Sequence, residues 1–259
     1  MQATVHPGLL LNHLQASEAD LIQMCDELVS IESPSNDPGA TRAILEHLTN
    51  EFIRLGYQYR LSPPDRSGGY LYARPRHHRR RAPLQLILGH VDTVWPIGTL
   101  AARPWTAHGE ALHGPGVFDM KAGIVQILFA LRTLRDLDIE PPATPLVLFN
   151  SDEEIGSRES RVAISRLSRI AVRAFVCEPG LGPGGALKTA RKGLGKYTLT
   201  VHGRAAHAGL DPENGASAIL ELSSVIQRLF ALNDRERDIT VNVGTIEGGI
   251  QANVIAPRS

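Results

Sequence analysis

The sequence contains only two cysteines, Cys25 and Cys177, and aromatic residues make up 5% of its 259 positions. Two cysteines are too few for a disulfide framework or a thiolate-based zinc site, and such usage fits a reducing compartment. Basic and acidic residues balance at 27 each, so composition does not favour nucleic acid or an anionic membrane as a partner. No apolar run approaches the roughly 20 residues of a membrane-spanning helix, and no secretory-signal pattern opens the chain. We therefore expect a cytoplasmic protein.

Apolar residues make up 42% of the chain, so it can bury a substantial core. Helical periodicity predicts helices at 18–32, 40–55, 124–137 and 213–232. Apolar or alternating runs predict strands at 57–61, 70–74, 84–88, 146–150, 174–180, 196–202 and 239–246. Strands and helices alternate in the first part of the chain, which predicts an α/β fold with a mainly parallel sheet flanked by helices. The later order is typical of an α+β unit, so we predict two domains, 1–190 and 191–259.

Acidic side chains and one histidine follow the predicted buried strands and one glycine-rich turn. These residues are His90, Asp92, Asp119, Glu153, Glu154 and Glu178. Because the carboxyl ends of parallel strands meet at one edge of a sheet, we expect these side chains to share a crevice. Imidazole and carboxylate donors without thiolate suit Zn²⁺, Mn²⁺ or Co²⁺.

Each feature also has a structural interpretation when it is taken alone. His90 and Asp92 could be a surface pair in a loop, and Asp119 could be an ordinary N-cap of the helix that follows it. The acids after residue 151 could lie at a helix N-terminus, which partly compensates their charge. The glycine-rich turn lacks the spacing of a nucleotide-binding loop, so nucleotide binding is excluded. The repetition of acids at several element ends favours the metal site.

The segments GHVDTV, GPGVFDMKAG, FNSDEEIGS, CEPG and GRAAHAG resemble, in this order, the motifs of the M20 metallopeptidase family. These are co-catalytic zinc carboxypeptidases and amidohydrolases. With GTIEGGIQANVIAP included, the set is most similar to the glutamate carboxypeptidase (carboxypeptidase G2-like) branch. The resemblance implies a metal-binding catalytic domain, here its N-terminal part at 1–190, and an inserted lid and dimerisation domain, incomplete, at 191–259.

The resemblance also implies a ligand set for zinc. His90 and Glu178 would ligate one metal ion, Glu154 would ligate a second, and Asp119 would bridge the two. The peptide bond from Asp119 to Met120 is expected to be cis, as at the family's bridging aspartate.

Further roles are implied for residues that are not ligands. Asp92 would orient the imidazole of His90, and Glu153 would be the general base. In the second domain, His207 would reach the active site of a partner in a homodimer and help stabilise the oxyanion, and Asn253 would contact the substrate.

The chain departs from the family pattern at its end. The family supplies a late histidine ligand and a substrate-binding arginine after the lid, and neither follows Asn253. We therefore expect a C-terminally truncated chain that binds one metal ion tightly and a second poorly. The implied activity is hydrolysis of peptide bonds, with release of a C-terminal amino acid such as glutamate. An N-acyl amino acid deacylase and an inactive metal-binding fragment remain alternatives.

Overall fold

The computed structural model describes residues 6–79, 81–109, 111–182 and 184–259. Contacts divide the chain into two units, Met1–Leu187 and Lys188–Ser259. Within the described part of the chain, no helix combines the length and the apolar character needed to cross a membrane. The catalytic and lid roles predicted for 1–190 and 191–259 stay predictions.

The first unit contains six α-helices, one π-helical turn (Val117–Lys121) and seven strands among its described residues. The helices are α1 (Pro7–Ala16), α2 (Glu18–Ser30), α3 (Pro38–Arg54), α4 (Thr99–Ala102), α5 (Ala122–Asp136) and α6 (Arg161–Ile170). The strands are β1 (Tyr57–Leu61), β2 (Tyr70–Pro75), β3 (Leu84–His90), β4 (Thr106–His108), β5 (Ala111–His113), β6 (Thr144–Asn150) and β7 (Ala171–Val176).

Five of these strands form one sheet in the order β1-β2-β6-β3-β7, and β4 and β5 form a separate hairpin. Strand β3 is parallel to both β6 and β7, whereas β2 is antiparallel to β6 and to β1. The predicted α/β class is confirmed, with a sheet whose three parallel strands are extended by an antiparallel pair. The register pairs His90 with Asn150, so the ends of β3 and β6 lie level at the carboxyl edge.

Alternate residues of each strand point to opposite faces of the sheet, and both faces are covered. On one face, α2, α3 and α5 contribute to a large apolar core around Phe52, whose ring lies 5.7 Å from that of Phe149. On the other face, α6 packs over a smaller cluster that contains Leu86 and Leu148. The two layers fix the carboxyl ends of β3 and β6, from which the candidate site projects.

Strand β7 differs from its prediction as a third buried strand over 174–180. It spans Ala171–Val176, and its side chains are largely exposed, with Val172 67% accessible. The reason is its position at the end of the strand order, where it pairs with β3 alone. An apolar run identifies a strand but does not reveal whether that strand is central or at an edge.

The described residues of the second unit contain a short 3-10 turn, Pro212–Asn214, and one longer helix, α7 (Ala218–Phe230). Helix α7 begins after Ser217, whose side chain accepts a hydrogen bond from the Leu220 N–H as an N-cap. The strands predicted at 196–202 and 239–246 are wrong, because the described residues there form no strand ladder. Isolated bridges occur instead, for example between His202 and Arg258. An alternating pattern makes a strand possible, but a strand forms only where a neighbour takes up its backbone hydrogen bonds.

Candidate metal centre

His90 is the buried last residue of β3 and lies at the middle of the candidate site. Its Nδ1 is 2.9 Å from the carbonyl oxygen of Asp92 and 3.4 Å from Asp92 Oδ1. Its Nε2 is 2.9 Å from Asp119 Oδ1 and 3.3 Å from Glu178 Oε1. Because each ring nitrogen faces only acceptors, the metal-free imidazole carries a proton on both nitrogens. A metal ion would replace the proton on Nε2, while Nδ1 would keep its proton and its contact with Asp92.

Two overlapping groups of side chains surround His90. His90, Asp119 and Glu154 form one group and His90, Glu153 and Glu178 the other, and within each group one candidate ligand atom per residue lies within 4.8 Å of the others. The four residues predicted as ligands therefore share one site, in which the other three and Glu153 surround the imidazole of His90. Which of the five would ligate and which would act as a base stays a prediction.

Asp92 connects His90 to the two glutamates. Its side chain is fully buried. Asp92 Oδ1 accepts the Glu153 N–H at 3.1 Å, and Oδ2 accepts the Glu154 N–H at 3.1 Å and the Ser35 hydroxyl at 2.7 Å. One carboxylate thus faces the imidazole and also holds the backbone of the turn that carries both glutamates. His90 and Asp92 are consequently not a surface pair.

The charges of the site are unevenly distributed. Burial raises the pKa of Glu153, and the neighbouring carboxylates of Glu178, Asp92 and Asp119 raise it further, against the opposing effect of His90. Burial and Asp119 likewise raise the pKa of Glu154. Burial alone would lower the pKa of His90, but its hydrogen bonds and charge interactions with Asp92 and Glu178 raise it to about 11. The site therefore favours a bound cation, and without a metal that cation is the proton on His90.

The donor chemistry fits a divalent metal. The two groups supply one imidazole nitrogen and four carboxylates, with no thiolate, a set that suits Zn²⁺ and also Mn²⁺ or Co²⁺. Ligating histidines usually donate their other ring N–H to a carboxylate or carbonyl, and His90 Nδ1 has such an acceptor in the Asp92 carbonyl oxygen at 2.9 Å. The residues present can therefore hold such an ion.

Asp119 lies in the turn Val117–Lys121, ahead of α5. The Asp119–Met120 peptide bond is cis, which confirms that prediction. The structure excludes Asp119 as the N-cap of α5, because that helix starts after Lys121. Lys121 is buried, its Nζ donates to the Ile31 carbonyl at 2.7 Å, and burial lowers its pKa to about 7. The turn is thereby attached to the end of α2 while Asp119 faces the site.

Glu178 is placed by a close approach between α5 and the chain that follows β7. A side chain on Gly123 would collide with the carbonyl oxygen of Cys177, which directly precedes Glu178. Only a glycine permits this approach, so its lack of a side chain allows Glu178 to come within reach of His90.

Asp152 and Ser35 were missed by sequence reasoning. Asp152 is buried, and its Oδ2 accepts the Glu159 N–H at 2.7 Å while its Oδ1 accepts the Ser160 hydroxyl at 2.6 Å. The first of the three consecutive acids thus shapes the turn, and only the two that follow face the site. Burial of Asp152 could have been suspected from its place directly after the apolar strand, but Ser35 gave no signal.

His207 and Asn253, in the second unit, lie close to each other. The Ala208 N–H donates to the Asn253 carbonyl at 3.0 Å, and an isolated bridge pairs His207 with Val254. The exposed His207 accepts the N–H groups of Gly209 and Leu210 at Nδ1. The neutral ring therefore carries its proton on Nε2, where it can be donated outwards. Their predicted roles in catalysis and substrate binding stay predictions.

Comparison with known proteins relates both units to peptidases. Residues 189–259 match the family model described as a peptidase dimerisation domain, M20_dimer. Carboxypeptidase G2 of a Pseudomonas species is 29% identical over 238 residues, which cover 91% of this chain and 57% of that protein. The chain thus spans well under two thirds of the length of this relative.

Solved structures share the fold. A tripeptidase from Staphylococcus aureus matches with a TM-score of 0.66 at 21% identity, over 92% of this chain and 63% of the other. An M20 family metallo-carboxypeptidase, Sso-CP2 from Sulfolobus solfataricus, matches with a TM-score of 0.64 at 17% identity, over 92% of this chain and 69% of the other.

Proposed function

We propose that the chain, which is similar to carboxypeptidase G2 and matches an M20 peptidase dimerisation domain over residues 189–259, is a metal-dependent hydrolase of peptide or amide bonds. The observation that carries this proposal is the buried His90, whose Nε2 faces carboxylates from three separate segments of the first unit. An arrangement with so much negative charge around one imidazole is costly unless a cation compensates it.

We propose that Zn²⁺ is held by His90, Asp119, Glu154 and Glu178, with Co²⁺ or Mn²⁺ as alternatives. Both candidate groups depend on His90 for their only nitrogen donor, so one ion binds tightly and a second binds more weakly. A bound Zn²⁺ supplies a Lewis acid that polarises the scissile carbonyl and lowers the pKa of a water.

Glu153 is the proposed general base. Its carboxylate belongs to the group around His90 and Glu178 but is partly exposed, and its pKa is raised by burial and by the neighbouring acids. A carboxylate of raised pKa is a better proton acceptor, so Glu153 takes the proton of the attacking water and passes it to the leaving amine nitrogen. Asp92 keeps the imidazole of His90 oriented and holds the Glu153 N–H, which fixes the base relative to the ligands.

The second unit supplies the remaining proposed groups. His207 has its Nε2 proton available to an oxyanion, because its Nδ1 accepts two backbone N–H groups. Asn253, its neighbour in this unit, contacts the substrate. The match to a dimerisation domain supports a homodimer formed through this unit.

The proposed substrate is a small peptide from which a C-terminal amino acid such as glutamate is released. The similarity to carboxypeptidase G2 supports this choice over an N-acyl amino acid deacylase, which would use the same chemistry on a different acyl group. An inactive metal-binding protein is the third possibility, and the presence of Glu153 at the site argues against it.

The test is release of free amino acid from dipeptides ending in glutamate and from N-acetylglutamate, with and without a chelator. We expect release from the dipeptides that stops with chelator and returns with Zn²⁺. Glu153→Gln should lower kcat by at least about 100-fold, the usual minimum for a general base, while Zn²⁺ still binds. Hydrolysis that survives both the chelator and this substitution would exclude the mechanism, and faster release from N-acetylglutamate would favour the deacylase.

A further inference from the structure

We propose that Ser35 is a positioning residue of the metal centre, acting through Asp92. This inference rests on the proposed function and adds to it a residue that lies 57 positions before Asp92 in the chain. Ser35 is buried in the loop between α2 and α3, where a hydroxyl with no partner would be unfavourable. Its hydrogen bond to Asp92 allows it to hold that carboxylate in one orientation.

The hydroxyl has two acceptors within reach. Ser35 Oγ is 2.7 Å from Asp92 Oδ2 and 3.3 Å from the Thr93 carbonyl oxygen. A serine hydroxyl has one proton to donate, and a hydrogen bond to an ionised acceptor is both shorter and stronger than one to a carbonyl. The Ser35 hydroxyl therefore donates its hydrogen bond to Asp92 Oδ2. The pKa of Asp92 stays below its usual range, because the hydrogen bonds from His90 and Ser35 outweigh the effect of burial.

The orientation of the Asp92 carboxylate determines three other contacts. Oδ1 lies 3.4 Å from His90 Nδ1 and accepts the Glu153 N–H, while Oδ2 accepts the Glu154 N–H. Rotation of the carboxylate about its Cβ–Cγ bond would weaken all of these contacts together. The Ser35 hydroxyl opposes that rotation, because it donates to Oδ2 while the imidazole faces the other oxygen, Oδ1.

Ser35 can do this because its backbone is fixed against the end of β3. The Thr93 N–H donates to the Ser33 carbonyl at 2.8 Å, and the Ser35 N–H donates to the Thr93 carbonyl at 3.1 Å. The Ser33 hydroxyl also donates to the Val91 carbonyl at 2.6 Å. The segment that carries Ser35 is therefore joined to the residues on both sides of Asp92.

Ser33 provides a matched control. It lies in the same segment, is also buried, and donates through its hydroxyl to a backbone carbonyl rather than to Asp92. Ser33→Ala and Ser35→Ala remove the same atom from the same loop, so a difference between them reports on Asp92 and not on the stability of the loop.

The experiment measures Zn²⁺ affinity by titration calorimetry, with chelator competition where binding is tight, and checks folding by urea denaturation. We expect Ser35→Ala to weaken Zn²⁺ binding about tenfold, the lower end of the range for outer-shell partners of a metal ligand. Ser33→Ala should stay within about twofold of the unmodified chain, because its hydroxyl donates to the backbone carbonyl of Val91 and not to the Asp92 carboxylate. In an Asp92→Asn background, Ser35→Ala should have no further effect beyond about twofold, since the group through which it acts has changed.

Three results would overturn the inference. Ser35→Ala could bind Zn²⁺ like the unmodified chain, or lose no more affinity than Ser33→Ala. It could also lose as much in the Asp92→Asn background as alone, which is the result expected from a general structural role. An unmodified chain that binds no Zn²⁺ would overturn the proposed function as well, whereas the first three results leave that function standing.

Discussion

The two units of the chain bury their apolar residues to very different extents. In the first unit, α2, α3 and α5 enclose a large core with the central strands, and more than twenty of its residues are buried. Among the described residues of the second unit, the buried ones are Ala218, Leu222 and Ala256, while Leu220 of α7 is 70% exposed. The first unit can therefore hold side chains in fixed positions, among them the buried His90, Asp92 and Asp152 at and after the carboxyl ends of β3 and β6.

This difference indicates that the first unit is the one able to hold the side chains of a site in place before an ion binds. The contacts of His90 and Asp92 require buried groups whose neighbours do not move, because an ion centre depends on ligands held to a fraction of an ångström. The exposed apolar side chains of the second unit are typical of a surface that binds a partner. The following predictions test this contrast.

The largest expected effect is on folding. Leu48→Ala in α3 removes a side chain that is 0% exposed, and we expect it to lower the free energy of unfolding by about 2–5 kcal/mol, as for other buried leucines. Leu220→Ala makes the same chemical change in α7 at a 70% exposed site and should stay within about 0.5 kcal/mol. Urea unfolding followed by far-UV circular dichroism measures both. Equal effects would contradict the contrast between the units.

The next effect is on metal binding, which we assign to the first unit alone. His90→Ala removes the residue shared by both candidate groups. We expect it to weaken Zn²⁺ binding by more than about 100-fold, because loss of even an outer-shell partner typically costs 10 to 100-fold. His113→Ala, in the exposed strand β5, is the control and should leave the affinity unchanged in calorimetric titration. A loss of affinity with His113→Ala, or none with His90→Ala, would place the ion elsewhere.

The smallest expected effect is on the number of protons released when Zn²⁺ binds. The pKa of His90 is raised from 6.5 to about 11 in the metal-free chain, so the ring is protonated at pH 8, and a metal at Nε2 must displace that proton. We expect release of about one proton per Zn²⁺ at pH 8, and affinity that rises about tenfold per pH unit between pH 6 and 9. In the metal-free chain, the same shift stabilises the fold fully below pH 6.5, and this contribution is lost as the pH rises towards about 11.

Calorimetry at pH 8 in two buffers of different ionisation enthalpy gives the proton count. With an unshifted pKa the ring would already be neutral at this pH, and no release from His90 would be seen. That result would mean that Asp92 and Glu178 do not hold the imidazole in its charged form.

Much of the first unit could be predicted from the sequence. The strong periodicity of α2, α3 and α5 identified these helices, and the apolar runs of β3 and β6 identified the central strands. Helices α1 and α6 were missed. The apolar pattern of α1 is weak, whereas α6 has a distinct apolar stripe, with Ala163, Ile164 and Leu167 packed against the smaller cluster, that would have allowed its prediction. Local patterns therefore recovered the elements that contribute to the main core.

What depends on tertiary neighbours could not be predicted. The exposure of β7 follows from its place at the end of the strand order, which its own residues do not encode. The alternating residues at 196–202 predicted a strand, but a strand also requires a partner. The Ser35–Asp92 hydrogen bond joins two segments far apart in the chain, and a serine in a loop next to prolines carries no mark of such a contact.

The close approach of α5 to the chain at Cys177 has a consequence for the choice of ion. A methyl group at Gly123 would collide with the Cys177 carbonyl and force it, and the adjacent Glu178, to shift from the position in which Glu178 Oε1 lies 3.3 Å from His90 Nε2. The distance between His90 and Glu178, which a bound cation would bridge, consequently depends on how closely the main chain at Gly123 approaches that at Cys177. A larger residue at position 123 would therefore change the ionic radius that fits between His90 and Glu178, although none of the proposed ligands would be replaced.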